Sequence, residues 1–405
     1  MPSVLAEELF YGKIMPRRRF KIGLLFSTTG PYSTVARSML NGALLGVSEV
    51  NASKARGLTL EPVVMDPAGV LARYAEITTE LLVGGIRQIV GCYTSVSRKE
   101  VIPCLEKHDG LLWYPSHYEG FETANNVVYT GAAPNQHILP LVDYLTAQYG
   151  DRALCVGSNY IWAWENNRIL REAMVSRGGT VLAERYLPVG DTNLAQLIEM
   201  IIKARPSFVF SSLIGDSGYA FFRQFRAACQ KAGIDQALTI PVASCNLSEP
   251  ELGEVGKDAV DGHISSSVYF STLRNPVNDA FVRDYAAMFP DRPISSADAE
   301  ASYIAVKLLA AALEEAETDE VAAVKTAVSG KRLHAPQGEV LVDGQTLHCY
   351  LTPRIGRSNV QGLFDIVMDA GEPVRPDPYL VNVTPTLATS PTVHPLGLEH
   401  PWHLA

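Results

Sequence analysis

Hydrogen-bonding and aromatic side chains gather at the ends of two short apolar runs in this 405-residue sequence. Tyr93, Thr94 and Ser95 follow the run 86–92, and Tyr114, Ser116, His117 and Tyr118 stand at the end of the run 111–114. Hydroxyls, phenols and imidazole donate or accept hydrogen bonds, and of these groups only His117 titrates near neutrality. A pocket built from them suits a small, neutral, polar ligand. A plainer reading stays open beside this one. A hydroxyl after a strand commonly caps the next helix, and a tyrosine at a strand end is commonly a half-buried packing residue.

Residues for covalent chemistry are harder to nominate. Gly215-Asp216-Ser217-Gly218 matches the nucleophile segment of trypsin-like proteases, but those enzymes are all-β, and here the segment joins a strand to a helix with no partner His and Asp. Asp216 and Ser217 are expected to cap that helix. No glycine-rich phosphate loop follows a strand, and no pair of carboxylates sits at the strand ends of the central unit. The nine histidines are scattered, and the spacing of His394, His400 and His403 matches no structural zinc site. No enzyme activity, cofactor or metal is expected.

These groups need elements to position them. The run 86–92 reads as a buried parallel strand, Ser97-Arg98-Lys99-Glu100 has capping-box spacing for a helix ending near Asp109-Gly110, and 111–114 is the next strand. Parallel sheets bind ligands at the carboxyl ends of such strands. Before this unit come strands at 20–26 and 58–65, the second with Pro62 at an edge or bulge, and helices at 33–51 and 71–82. The β-α pattern restarts near residue 135. Strand 153–157 ends in Ser158-Asn159-Tyr160 with Trp162 close behind, and strands at 180–186, 208–212 and 240–243 follow. The fold class is therefore α/β, with two doubly wound, Rossmann-like lobes and a ligand cleft between them. The expected division is an arm at 1–19, a first lobe of 20–134 plus about 270–334, a second lobe of 135–269 plus about 335–384, and a flexible tail at 385–405. Helices at 277–289, 297–316 and 321–328 and antiparallel strands at 339–342, 348–351 and 364–368 tie the lobes by several crossings.

Composition narrows the class. With 47% hydrophobic and 19% charged residues the chain is globular. A net charge of -9 and no basic cluster beyond Arg17-Arg18-Arg19 argue against direct nucleic-acid binding. Glu7 and Glu8 interrupt the apolar N-terminal residues, so neither a signal peptide nor a membrane span is expected. Six cysteines without a C-x-x-C pair read as thiols of a reducing compartment.

The longer motifs carry a resemblance. Gly91-Cys92-Tyr93-Thr94-Ser95, Leu112-Trp113-Tyr114-Pro115, Tyr118-Glu119-Gly120, Gly131-Ala132-Ala133-Pro134-Asn135-Gln136 and Asn159-Tyr160-Ile161 resemble the amide and urea branch of the type I periplasmic binding-protein fold. His334-Ala335-Pro336-Gln337-Gly338 and the stretch 372–379 are similar to segments of AmiC-like amide sensors, cytoplasmic negative regulators of amidase operons. The resemblance spans about 20–384. It implies a short aliphatic amide such as acetamide, or urea, held between the lobes at Tyr93, Ser95, Tyr114, Ser116 and Tyr160. Thr94, His117 and Trp162 join them as candidate ligand-binding residues. Ser116 stands where the family sensor has Thr, His117 where it has Pro, and Trp162 where it has Tyr. The resemblance also implies a cytoplasmic protein that binds an RNA-binding antiterminator until amide arrives, and a homo-oligomer is compatible with it. The alternative is the substrate-binding protein of an ABC transporter for urea or short-chain amides.

Overall fold

The computed structural model describes residues 17–381, with the backbone of 392–393. Most of the expected arm and tail, with the three C-terminal histidines, lies outside the described residues; Arg18 and Arg19, assigned to the arm, already form the first strand. The first half alternates β1 (Arg18–Leu25), α1 (Ser33–Ala52), β2 (Leu58–Met65), α2 (Leu71–Val83), β3 (Gln88–Gly91), α3 (Ser95–His108), β4 (Leu111–Tyr114) and β5 (Val127–Tyr129). Then come α4 (Ile138–Gln148), β6 (Arg152–Ser158), α5 (Ile161–Ser176), β7 (Thr180–Leu187), α6 (Ala195–Ala204), β8 (Phe208–Ser212), α7 (Gly215–Lys231), α8 (Gln236–Thr239), β9 (Val242–Ser244), α9 (Glu249–Val255) and β10 (Ile264–Ser267). The chain ends with α10 (Pro276–Met288), α11 (Ala297–Ala316), α12 (Val321–Val328), β11 (Arg332–Ala335), β12 (Gly338–Val342), β13 (Cys349–Tyr350), β14 (Arg354–Ser358) and β15 (Phe364–Asp369).

Strands of the first sheet lie in the order β2-β1-β3-β4-β5, all parallel. β3, β4 and β5 are buried at every residue, so they read as apolar runs rather than alternating patterns. Tyr74, Leu81, Val101 and Leu105 of α2 and α3 cover one face, and α1, α11 and α12 cover the other. Pro62 falls on the edge strand, where a missing N–H breaks no interior ladder. The second sheet runs β7-β6-β8-β9-β10-β14-β15, parallel except for β14 and β15, and Thr392–Val393 add an antiparallel edge strand to β15. Helices α4 and α5 bury one of its faces and α6, α7 and α9 the other.

Two sequence expectations are corrected. Residues from 335 were assigned to the second lobe, yet the small antiparallel sheet β11-β12-β13 buries Ala335, Val340, Val342 and Cys349 in the first lobe's core, and the chain returns to the second sheet at β14 and β15. β10 was missed because it reads Ile-Ser-Ser-Ser. Its serines are accommodated inside by hydrogen bonds, Ser265 Oγ donating to Leu247 O and Ser266 Oγ to His137 O, each at 2.7 Å.

Candidate functional site

At the end of β3 the backbone of Cys92 takes φ 64, a left-handed conformation uncommon for a residue with a side chain. The turn leads into Tyr93. Thr94 then caps α3, its Oγ1 accepting from the Ser97 N–H at 3.3 Å, so the helix starts at Ser95 and not at the expected box over 97–100. Tyr93, Thr94, Ser95, Ser116 and His117 from the first sheet face Tyr160, Trp162 and Ile214 from the second around a tight cavity of about 10 Å³. Seven of the eight candidate residues therefore share one wall system. Tyr114 does not. Its hydroxyl donates to the Tyr93 carbonyl at 2.7 Å, and its ring lies 4.8 Å from the Arg98 guanidinium, so it supports the turn from behind. Tyr118 also points away, its hydroxyl 2.6 Å from His348 Nε2 in the first lobe's core.

Ser95 is held by a charged network the sequence did not reveal. Its hydroxyl donates to the Glu119 carboxylate. Arg98 bonds Glu119 at 2.9 Å and Glu122 at 2.7 Å, and Lys99 reaches Glu122 at 2.7 Å. Arg98 and Glu119 are buried, where an ion pair is tolerated only with its charges matched and hydrogen-bonded. Burial pushes the Glu122 carboxyl up, but Arg98 and Lys99 outweigh it and hold it down at about 2.

A second small cavity, about 20 Å³, adjoins the first through His117 and is lined by Asn246, Glu249, Ser265 and Asp298 among others. Asp298 lies in the first turn of α11, which Ser296 caps, and Glu249 opens α9. Carboxylates are favoured at both helix starts. Burial, with Glu249 adding repulsion, raises the Asp298 carboxyl to about 7, against the pull of hydrogen bonds that include the Ser116 hydroxyl. Burial likewise raises Glu249 to about 7, although its carboxylate accepts from the Ser271 N–H at 2.7 Å. His117 supplies no counter-charge. Its Nδ1 is 3.9 Å from Asp298, too far for a hydrogen bond, and burial beside His137 pushes its pKa down to about 3. The expected neutral pocket thus has an acidic end. Position after a strand and the amide-binding resemblance both point to strand ends, and helix first turns such as those of Asp298 and Glu249 escape them.

The Gly-Asp-Ser-Gly segment does something else than expected. Asp216 and Ser217 sit inside the first turn of α7 and cap nothing; Ile214 is the cap residue. Gly215, at φ 56, is where the second lobe meets the first, since a Cβ there would lie 2.2 Å from the Pro31 carbonyl oxygen. Thr34 Oγ1 donates to Glu254 Oε1 at 3.2 Å across the same junction.

Two doubly wound lobes with polar strand ends facing across a closed junction define a ligand-binding protein of the cleft type. The chain belongs to the periplasmic binding protein domain family, whose model matches residues 20–385. It is 26% identical over 332 residues to the Leu/Ile/Val-binding protein BraC3 of Rhizobium johnstonii, covering 79% of this chain and 86% of that one. It shares its fold with an ABC-transporter solute-binding protein of Rhodopseudomonas palustris HaA2 solved with p-hydroxybenzoic acid (TM-score 0.78, 20% identity, 86% of this chain and 95% of that one). A branched-chain amino acid transporter protein, LivJ of Streptococcus pneumoniae, solved with isoleucine, is similar as well (TM-score 0.77, 19% identity, 86% and 99%). These matches correct the expected cytoplasmic location, because the family is one of periplasmic binding proteins and the similar chains are transporter solute-binding proteins. Cysteine usage could not decide the matter: six free thiols, five of them buried, persist in either compartment.

Proposed function

We propose that this chain is the solute-binding component of an ABC-type uptake system, taking a small amide- or urea-like solute between its lobes. One observation carries the reading. Tyr93, Ser95 and Ser116 meet Tyr160 and Trp162 across a small cavity that no Lys or Arg lines, which suits a solute without a carboxylate. The antiterminator partner implied by the AmiC resemblance gains nothing from the family comparisons, whose named members are transporter proteins. Very small ligands reach at most about 1.5 kcal/mol per heavy atom, so a four-atom amide is limited to about 6 kcal/mol, a Kd in the tens of micromolar. Calorimetric titration with short amides, urea and branched amino acids tests the proposal, and small-angle scattering with saturating solute tests lobe closure. Micromolar binding of an amide or urea is expected. An α-amino acid that binds at least tenfold tighter than all of them would falsify the ligand class.

A further inference from the structure

The proposed solute site has a hydrogen-bond polarity, and this inference rests on that reading. Two wall groups are committed as donors. The Ser95 hydroxyl donates to Glu119, and the Asn246 amide donates one N–H to Leu213 O at 2.9 Å. Ser95 can then offer a ligand only lone pairs, and Asn246 presents its Oδ1. Asn246 is the most telling. It is 7% exposed, it lines the cavity shared with Asp298 and Glu249, and its Oδ1 is buried with no hydrogen-bond partner among the described residues. A buried acceptor without a donor is costly, and a ligand N–H relieves the cost.

Charge points the same way. Asp298 and Glu249 bring carboxylates to this cavity, and neither it nor the adjoining one is lined by Lys or Arg. Arg98, buried behind Ser95, is already matched by Glu119 and Glu122. Aromatic rings complete the enclosure: Tyr160 stacks on Trp162 with centroids 6.3 Å apart, and His117 stands edge-on to Trp162 at 5.5 Å. Ring faces attract cations.

We infer that the ligand is a compact planar cation carrying N–H donors on several edges, an amidinium or guanidinium, in preference to its neutral amide or urea isostere. Planarity with several N–H edges lets one small molecule meet acceptors on opposite walls. A fully methylated ammonium has the charge without the donors.

The test is calorimetric titration of the full chain at constant chloride concentration with millimolar guanidinium chloride against urea, acetamidine hydrochloride against acetamide, and tetramethylammonium chloride as the donor-free cation. Each planar cation is expected to bind at least tenfold tighter than its isostere and than tetramethylammonium. Asp298→Asn, checked for native folding by circular dichroism, is expected to shrink the cation-to-isostere ratio at least fivefold. Neutral isosteres that bind as tightly as the cations overturn the inference and leave the solute-binding proposal standing. Tetramethylammonium binding as tightly as guanidinium overturns the role of the acceptors. An unchanged ratio in folded Asp298→Asn removes the assignment of Asp298. If none of the four planar compounds binds, the inference and the proposed amide or urea class fail together.

Discussion

At the scale of single residues, the direction of one proton decides what Ser95 can recognise. Its hydroxyl is committed to Glu119, so removing it takes an acceptor from the cavity and a donor from a buried carboxylate. Ser95→Ala and Tyr93→Phe are each expected to weaken solute binding by about 1–3 kcal/mol with a native circular dichroism spectrum. Tyr114→Phe is the contrasting case. Because its hydroxyl is spent on the Tyr93 carbonyl, the substitution should lower stability by about 0.5–1.5 kcal/mol in thermal unfolding and leave affinity nearly unchanged. Equal losses of affinity at Ser95 and Tyr114 would show that both act only by supporting the turn.

Among the elements, α11 governs the acidic end of the site through its packing on α1. Ser296 Oγ accepts from the Ala299 N–H at 3.1 Å and starts the helix, and that first turn delivers Asp298. The two helices touch backbone to backbone, since a Cβ on Gly42 would lie 1.9 Å from the Ala299 carbonyl oxygen. On Gly46 it would meet only the Val306 side chain and the Tyr303 carbonyl, none nearer than 3.1 Å. Glu300 accepts from the backbone and side-chain amides of Gln337 at 3.1 and 2.9 Å, which ties the turn between β11 and β12 to the same helix. Gly42→Ala must push α11 away. It is expected to cost about 1–3 kcal/mol and to weaken solute binding as Asp298 shifts, whereas Gly46→Ala should do less of both. Thermal unfolding and titration of the two variants give the comparison, and a Gly42→Ala protein of unchanged melting temperature would contradict this packing.

For the whole molecule, buried titratable groups set a stability profile with two opposing arms. Burial raises Asp298 and Glu249 to about 7 and Glu251 and Glu300 to about 8. In the unfolded chain these carboxyls titrate near ~4. The folded state therefore keeps protons that the unfolded chain has released, and stability falls as pH rises toward about 8. Histidines act in the other direction. Burial holds His117 at about 3 and His137, His263 and His348 at about 4. Unfolded imidazole titrates near ~6.5, so unfolding takes up protons below that pH and stability falls as pH drops. The two sets oppose each other below pH ~6.5, and above it the carboxylates alone titrate. Melting temperature is expected to decline from pH ~6.5 to ~8.5, and Asp298→Asn should flatten the decline. A melting temperature that climbs through that interval would reject the carboxylate assignment.

Local chemistry determined most of the scaffold. Strands buried on both faces must be short apolar runs, and side chains at the carboxyl ends of parallel strands follow such runs directly, so the cavity-lining positions of Tyr93, Ser95, Ser116 and Tyr160 were legible without any long-range information. Tyr114 satisfied the same positional rule and still points elsewhere, because rotation about the strand end, and not sequence position, chooses the side a ring occupies. β10 hid behind its serines, and β11 to β13 joined the first core because Val340 and Val342 find their apolar partners there. Only the tertiary structure decided the character of the cavity. Glu119 lies 24 residues from Ser95, and Asp298, Glu249 and Asn246 come from elements far along the chain. Spent donors and uncompensated charge are properties of groups brought together in space, and no local pattern records them.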